Sequence, residues 1–242
     1  MALPTGLLVV FREDVDDIDG GVGGADYLWS DAEFYRYLDR AQKEFVRRTN
    51  ILKTATVTAI SDIAVTADDP IITPAVNVLH PIRAKLLLDT RPLEIVPFEE
   101  LDGGAVSFNE DYGVFFSGVN WEAVAGTPRV LITNWDETVW RLAPTPVVSD
   151  TLKLIATYLP TTDISEATKT TAMAVTLIED QLIILDYVKY LAYRKQDADV
   201  YDTNLSNGFL ASFLRDAADR KSALKRKRHQ SQPVRYGGIP LN

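Results

Sequence analysis

The chain has 242 residues, 46% of them hydrophobic, and a net charge of −9, so it is long and apolar enough to bury a core as one large domain or two small ones. It contains no cysteine and two histidines, His80 and His229, which excludes disulfides, thiolate nucleophiles and cysteine-ligated metals and leaves little for imidazole chemistry. No apolar run reaches 18 residues, and the opening MALPTGLLVVFRED has neither a basic leader nor a small-residue cleavage site, so a soluble chain with no membrane association is expected.

In chain order, the acidic and glycine-rich stretch Glu13 to Gly24 marks residues 1–29 as an N-terminal arm. Its cluster Gly20-Gly21-Val22-Gly23-Gly24 is followed by no Lys-Ser/Thr pair and sits in no βαβ unit, so it reads as a loop and not as a phosphate cradle. Asp14, Asp16, Asp17 and Asp19 lack the glycine and distal glutamate of a calcium loop, so no metal site is expected there. Ser30 with Glu33 three residues on has the capping-box spacing, and Phe34, Leu38, Ala41 and Phe45 follow at helical intervals, with Tyr37 and Arg48 at the margins of the stripe. This predicts a helix from Asp31 to about Asn50.

From Leu52 to Pro160 the pattern changes to short β-branched or alternating runs separated by Pro, Gly, Asp and Asn. The runs are Thr54 to Ile60, Ile82 to Leu88, Leu93 to Pro97, Val114 to Phe116, Pro128 to Thr133, Val139 to Leu142 and Leu152 to Leu159. They predict an antiparallel sandwich or small barrel, with one helical turn at Phe98 to Leu101 and with Trp121, Trp135 and Trp140 packing its core or rim. Helical spacing returns after Thr161. Ile178, Leu182, Leu185 and Val188 to Ala192 form one stripe, ending near Gln196. Leu205, Phe209, Ser212, Phe213, Asp216 and Arg220 form a second, on a helix from about Asn204 to Arg228 whose latter half is expected to leave the body.

The expected fold class is therefore α+β. One N-terminal and two C-terminal helices (residues 30–52 and 172–229) make a helical bundle, an antiparallel β domain (residues 53–161) is inserted, and residues 230–242 extend as a tail.

No constellation in the sequence carries catalysis. Glu99-Glu100 and Glu110-Asp111 are carboxylate pairs with nothing to bring them to a common cleft. A serine triad would need His80, which precedes Pro81 in an apolar run, or His229, which lies in a basic cluster. No enzyme activity and no cofactor are expected.

The C-terminus is the informative part. Residues 215–242 carry eight Lys/Arg against Asp216 and Asp219, a net of +6, which leaves −15 for everything before them. The basic cluster Lys225, Arg226, Lys227, Arg228 and His229 leads into the thirteen-residue tail QSQPVRYGGIPLN, which has no apolar periodicity and could span about 40 Å when extended. The basic cluster also fits a helix end favoured by the helix dipole.

The helix Trp29-Ser30-Asp31 through Leu38, Ala41-Gln42, Phe45 and Arg48 carries a resemblance. So does the β segment from Gly126-Thr127-Pro128-Arg129 through Trp140-Arg141-Leu142-Ala143-Pro144-Thr145-Pro146 to Leu152-Lys153-Leu154 and Tyr158-Leu159-Pro160. In this order, and with a closing helix pair and a basic extended end, they resemble the head-to-tail adaptor (connector) proteins of tailed bacteriophages across most of the chain. The resemblance implies a structural virion protein at the head–tail interface, made in the host cytoplasm. It forms a homo-oligomeric ring, a dodecamer, between the portal protein and the tail tube or nozzle, and genomic DNA passes through the lumen of this ejection channel without specific binding. Portal binding falls to the basic and tail residues: Lys225, Arg226, Lys227, Arg228 and Arg235 for acidic portal groups, Tyr236, Ile239 and Leu241 as apolar anchors, and Gly237, Gly238 and Pro240 for the path between them. The alternative reading is a nucleic-acid-binding module that uses the same basic segment, with affinity that falls steeply in salt.

Overall fold

The computed structural model describes residues 3–17, 28–99, 122, 124–196 and 201–229. The chain is α+β and divides into two units, residues 1–52 with 160–242 and residues 53–159.

The first unit begins with helix α1 (Pro4–Asp14), which takes proline in its first turn, where the missing N–H has no intrahelical partner to lose. This corrects the reading of residues 1–29 as an arm: Leu7, Leu8 and Phe11, one turn apart, are buried, and the Phe11 ring meets Trp29 edge-on at 5.6 Å. Arg12 forms an ion pair with Asp31. The glycine cluster and Asp19 lie outside the described residues.

Helix α2 (Asp31–Thr49) starts with the expected capping box, in which the Glu33 N–H donates to Ser30 Oγ at 3.3 Å and the Ser30 N–H donates to Glu33 Oε2 at 3.1 Å. It ends on Asn50 in the left-handed region (φ 54°), a conformation that a short polar side chain tolerates. Its buried face is two rows wide, with Tyr35, Gln42, Val46 and Thr49 beside the predicted Phe34, Leu38, Ala41 and Phe45.

Helix α4 (Ile178–Tyr193) and helix α5 (Thr203–His229) complete this unit. The Trp29 indole N–H donates to the Ala192 carbonyl at 3.2 Å, which ties the entry of α2 to the end of α4. The loop before α4 is gripped through the Val175 peptide: its N–H donates to Gln42 Oε1 at 3.4 Å, and Gln181 Nε2 donates to its carbonyl at 2.8 Å. The two predicted stripes are rotated in the structure. Ile178 and Leu182 of α4 are exposed while Asp180, Gln181 and Ile184 face inward, and on α5 Ser206 is buried in place of Leu205. Polar side chains with partners took inward positions that an apolar-only stripe could not register.

The second unit is a sheet curled into a half-barrel. Its strands are β1 (Lys53–Thr54), β2 (Asp62–Val65), β3 (Ile71–Ile72), β4 (Val78–Leu86), β5 (Pro92–Pro97), β7 (Val130–Thr133), β8 (Trp140–Ala143) and β10 (Asp150–Tyr158). They lie in the order β1-β10-β4-β5-β7-β8-β3, with β2 also on β10. A separate two-stranded ladder pairs β6 (Ala125–Gly126) with β9 (Thr145–Pro146).

Two expectations change here. The run Thr54 to Ile60 is not one strand: after two residues of β1, Thr54 Oγ1 accepts from the N–H groups of Thr56 and Val57, and the turn leads into helix α3 (Thr58–Ser61). The β unit is not wholly antiparallel, because β5 runs parallel to β7 in the main sheet and β6 parallel to β9 in the separate ladder. The long connection from residue 98 to 129 permits that crossover, which a hairpin could not make. Central position explains the unbroken apolar run of β7: Leu131 packs into the Leu86, Leu142, Leu152 and Leu154 cluster while Val130 and Ile132 face the other side with Val96. Phe98 and Glu99 are helical, and Leu101, Val114 to Phe116 and Trp121 lie outside the described residues. Trp140 packs on the main cluster, and Trp135 meets Phe98 edge-on at 5.1 Å with the Arg141 guanidinium 4.6 Å from its ring.

Candidate functional site: the seat and free end of the C-terminal helix

Helix α5 is anchored at its start, gripped along its middle and, at Lys225 to Lys227, exposed. Asp202 caps it, its carboxylate accepting from the N–H groups of Asn204 at 2.8 Å and Leu205 at 3.0 Å. One turn in, the Ser206 hydroxyl donates to the Tyr190 carbonyl at 3.2 Å, and the Phe209 ring stacks on Tyr193 at 5.8 Å. Phe213 is fully buried against Tyr187 (4.7 Å between centroids) and Phe45 (6.5 Å). Ala217, also buried, continues the line one turn on.

The next turn replaces apolar packing with charge. Arg220 Nη2 donates to Asp180 Oδ2 at 2.9 Å, and its Nε lies 2.6 Å from Oδ1. The Asp180 side chain is only 1% exposed and that of Arg220 23%. Burial pushes the Asp180 carboxyl above its ordinary value, and the Arg220 guanidinium opposes that rise. A second ionic contact lies nearer the start of the helix, where Lys189 sits 2.7 Å from Asp14 Oδ2 and 3.7 Å from Asp186 Oδ1 with its ammonium over the Phe209 ring. Burial pushes Asp186 upward as well, against Lys189. The Arg220–Asp180 pair fixes the register of α5 against α4, since sliding either helix by a turn would strand a buried charge, whereas Lys189 ties α4 to Asp14 of α1 and meets α5 only at the Phe209 ring.

Packing therefore persists past the midpoint of α5, further than the sequence stripe implied. Ala223 and Leu224 are half-buried, whereas Lys225, Arg226 and Lys227 are exposed and have no ion-pair partner among the described residues. From Arg220 to the end of the helix no carboxylate occurs, so the cations gather at the helix C-terminus, where the helix dipole favours them. Arg228 continues the helix backbone, and Arg235, Tyr236, Gly237, Gly238, Ile239, Pro240 and Leu241 lie outside the described residues. The structure thus brings Lys225 to Lys227 together on the final turns.

Sequence reasoning placed Arg220 on the apolar stripe but did not find its partner. Asp180 stands in the first turn of α4, a common place for an acidic residue, and its burial against Arg220 depends on the packing of α5 on α4. Among the described residues, no group of three or more His, Asp or Glu side chains is placed to hold a metal ion, and no helix is long and apolar enough to cross a membrane.

No curated protein matches the chain. The family profile described as SU10 adaptor protein matches residues 6–237, which takes in both units and most of the basic C-terminus. The order of helix, inserted β region and closing helix pair, read against that match over nearly the whole chain, places this protein in the SU10 adaptor family, a family of phage head-to-tail adaptors.

Proposed function

We propose that the chain is a head-to-tail adaptor that forms a ring between the portal and the tail tube or nozzle and attaches to the portal through the end of α5 and residues 230–242. An adaptor family is structural and not enzymatic, and it implies a place in the virion. The observation that carries the portal-docking reading is the contrast along α5: its first five turns are committed to the body, while Lys225, Arg226 and Lys227 face solvent at the point where the tail begins. A committed stem with a bare cationic tip suits an acidic partner, and a tail without apolar periodicity can order on contact, exchanging conformational entropy for interface.

In this reading the ring is twelvefold, residues 30–52 and 172–229 form its helical bundle, and residues 53–161 are the inserted β domain. Arg228 and Arg235 add to the cationic contacts, and Tyr236, Ile239 and Leu241 anchor the tail. The net charge of −9 favours passage of DNA through the lumen without adhesion, since like charge repels the phosphate backbone. The exposed cations also support a second reading, a nucleic-acid-binding module.

One experiment separates the two. Full-length chain and a variant lacking residues 230–242 are mixed with purified portal rings and imaged by cryo-electron microscopy. Ring density on the portal with full-length chain and none with the truncation is expected. Equal attachment by the truncated chain refutes tail docking, and no attachment together with salt-sensitive DNA binding moves the assignment to the nucleic-acid module.

A further inference from the structure

The β unit carries a charged feature that the adaptor reading leaves unused. Along β4 the side chains alternate, Ala84 and Leu86 to the core and Arg83 and Lys85 to the outer face. On β10 the same face shows Lys153 and Ile155, and the register sets Lys153 directly opposite Lys85 and Ile155 opposite Arg83. Like charges directly opposite across a ladder destabilise a sheet, so sheet stability alone gives no reason for this pairing.

One carboxylate answers three cations. Lys153 Nζ lies 2.6 Å from Asp62 Oδ2 on β2, and Asp62 also accepts from the Ser61 hydroxyl at 2.9 Å. The Lys153 and Ser61 hydrogen bonds hold the Asp62 carboxyl below its ordinary value, so it stays ionised and committed to Lys153. Arg83 and Lys85 have no ion-pair partner among the described residues. They border an open groove of about 600 Å³ whose far wall is the turn into α3, with the exposed hydroxyls of Thr56 and Thr58, and whose apolar contribution includes Ala55 and Ile155.

We propose that this groove is a docking surface for an acidic polypeptide segment, whose carboxylates pair with Arg83 and Lys85 and whose apolar side chain lies against Ala55 and Ile155. Charge complementarity selects the sign of the partner. Its class follows from three features. Two uncompensated cations are far fewer than the six to ten phosphate contacts, roughly, that give a nucleic-acid binder its affinity. Asp62 sits at the edge of the groove and repels a continuous run of phosphates, whereas a peptide can place a neutral residue there. A chain of net charge −9 opposes a long polyanion more than it opposes a short acidic segment. The inference does not depend on portal attachment, because the groove lies wholly within residues 53–159.

The test uses the full-length chain, a fluorescein-labelled peptide that repeats Glu-Glu-Phe, and fluorescence anisotropy at low salt. Arg83→Glu with Lys85→Glu is expected to weaken peptide binding by about tenfold or more, the effect of losing two desolvated charge contacts. Charge reversal of Lys225, Arg226 and Lys227 is expected to change it by less than about twofold. The milder pair Arg83→Gln and Lys85→Gln, with circular dichroism to confirm folding, covers a reversal variant that fails to fold, and it should weaken binding in the same direction. Loss of peptide binding only when the helix end is reversed overturns the proposal. So does a single-stranded DNA oligomer that displaces the peptide from the groove with equal or higher affinity.

Discussion

The Arg220–Asp180 pair offers the sharpest test of how α5 is held. Arg220→Ala leaves a carboxylate that is 1% exposed without its cation, and removing one partner of a buried pair costs about 3–5 kcal/mol. Arg220 is about a quarter exposed, which moves the expectation to the lower end of that range. The carboxylate also has an escape, since it can take up a proton. Holding an acid of unfolded pKa about 3.9 neutral costs about 1.36 kcal/mol per pH unit above that value, so the electrostatic loss is capped near 4 kcal/mol at pH 7 and near 1.5 kcal/mol at pH 5. The direction follows from linkage. Burial already raises the folded pKa of Asp180, and without Arg220 it rises further, so the native state binds more protons than the unfolded state and stability falls as pH increases. Urea unfolding followed by circular dichroism should therefore show Arg220→Ala destabilised by about 2–4 kcal/mol at pH 7 and by clearly less at pH 5. Adding Asp180→Asn to Arg220→Ala should recover part of the loss at pH 7, because the stranded charge is gone. A loss below about 1 kcal/mol, or one equal at both pH values, refutes the claim that this pair pins the helix.

Two further substitutions probe the same unit. Phe213→Ala removes a fully buried ring from between Tyr187 and Phe45 and is expected to cost about 3–5 kcal/mol in urea unfolding, and a cost under about 1 kcal/mol would mean that α5 is not seated there. For Glu33, burial pushes the carboxyl upward, but the Ser30 N–H and hydroxyl and the Lys195 ammonium outweigh it and hold the pKa below its ordinary value. Its stabilising contribution is therefore present above the unfolded pKa of about 4.3 and lost as pH falls through the folded value. Glu33→Gln should be less stable than the parent by about 0.5–1 kcal/mol at pH 7, with the gap closing below about pH 4, whereas a gap independent of pH would point to helix capping alone.

Local rules in the sequence were enough for a good part of this protein. The capping box at Ser30 and Glu33 depends on residues three apart, and it stands in the structure as the spacing implies. The core strands at Ile82 to Leu88, Leu93 to Pro97 and Leu152 to Leu159 were legible because alternation is a property of the strand itself. The basic end of α5 was legible because charge needs no fold to be counted.

What escaped depended on partners distant in the chain. Residues 4–14 carry too short an apolar run to declare a helix alone, and they become one because Trp29 and Phe34 receive Phe11. The parallel pairing of β5 with β7 is a choice of neighbour, and strand composition is indifferent to it. Asp180 and Arg220 are forty positions apart, and Lys85 and Lys153 sixty-eight, so neither the buried pair nor the cationic face exists until the chain folds. The sequence by itself determined helices α2, α4 and α5, the longer core strands, the sign of each end and the family, because these rest on short-range periodicity, summed charge and the order of parts. The tertiary structure alone decided which polar groups are buried, which cations stand unpaired and where α5 stops being held, because a charge costs or contributes free energy only through what surrounds it.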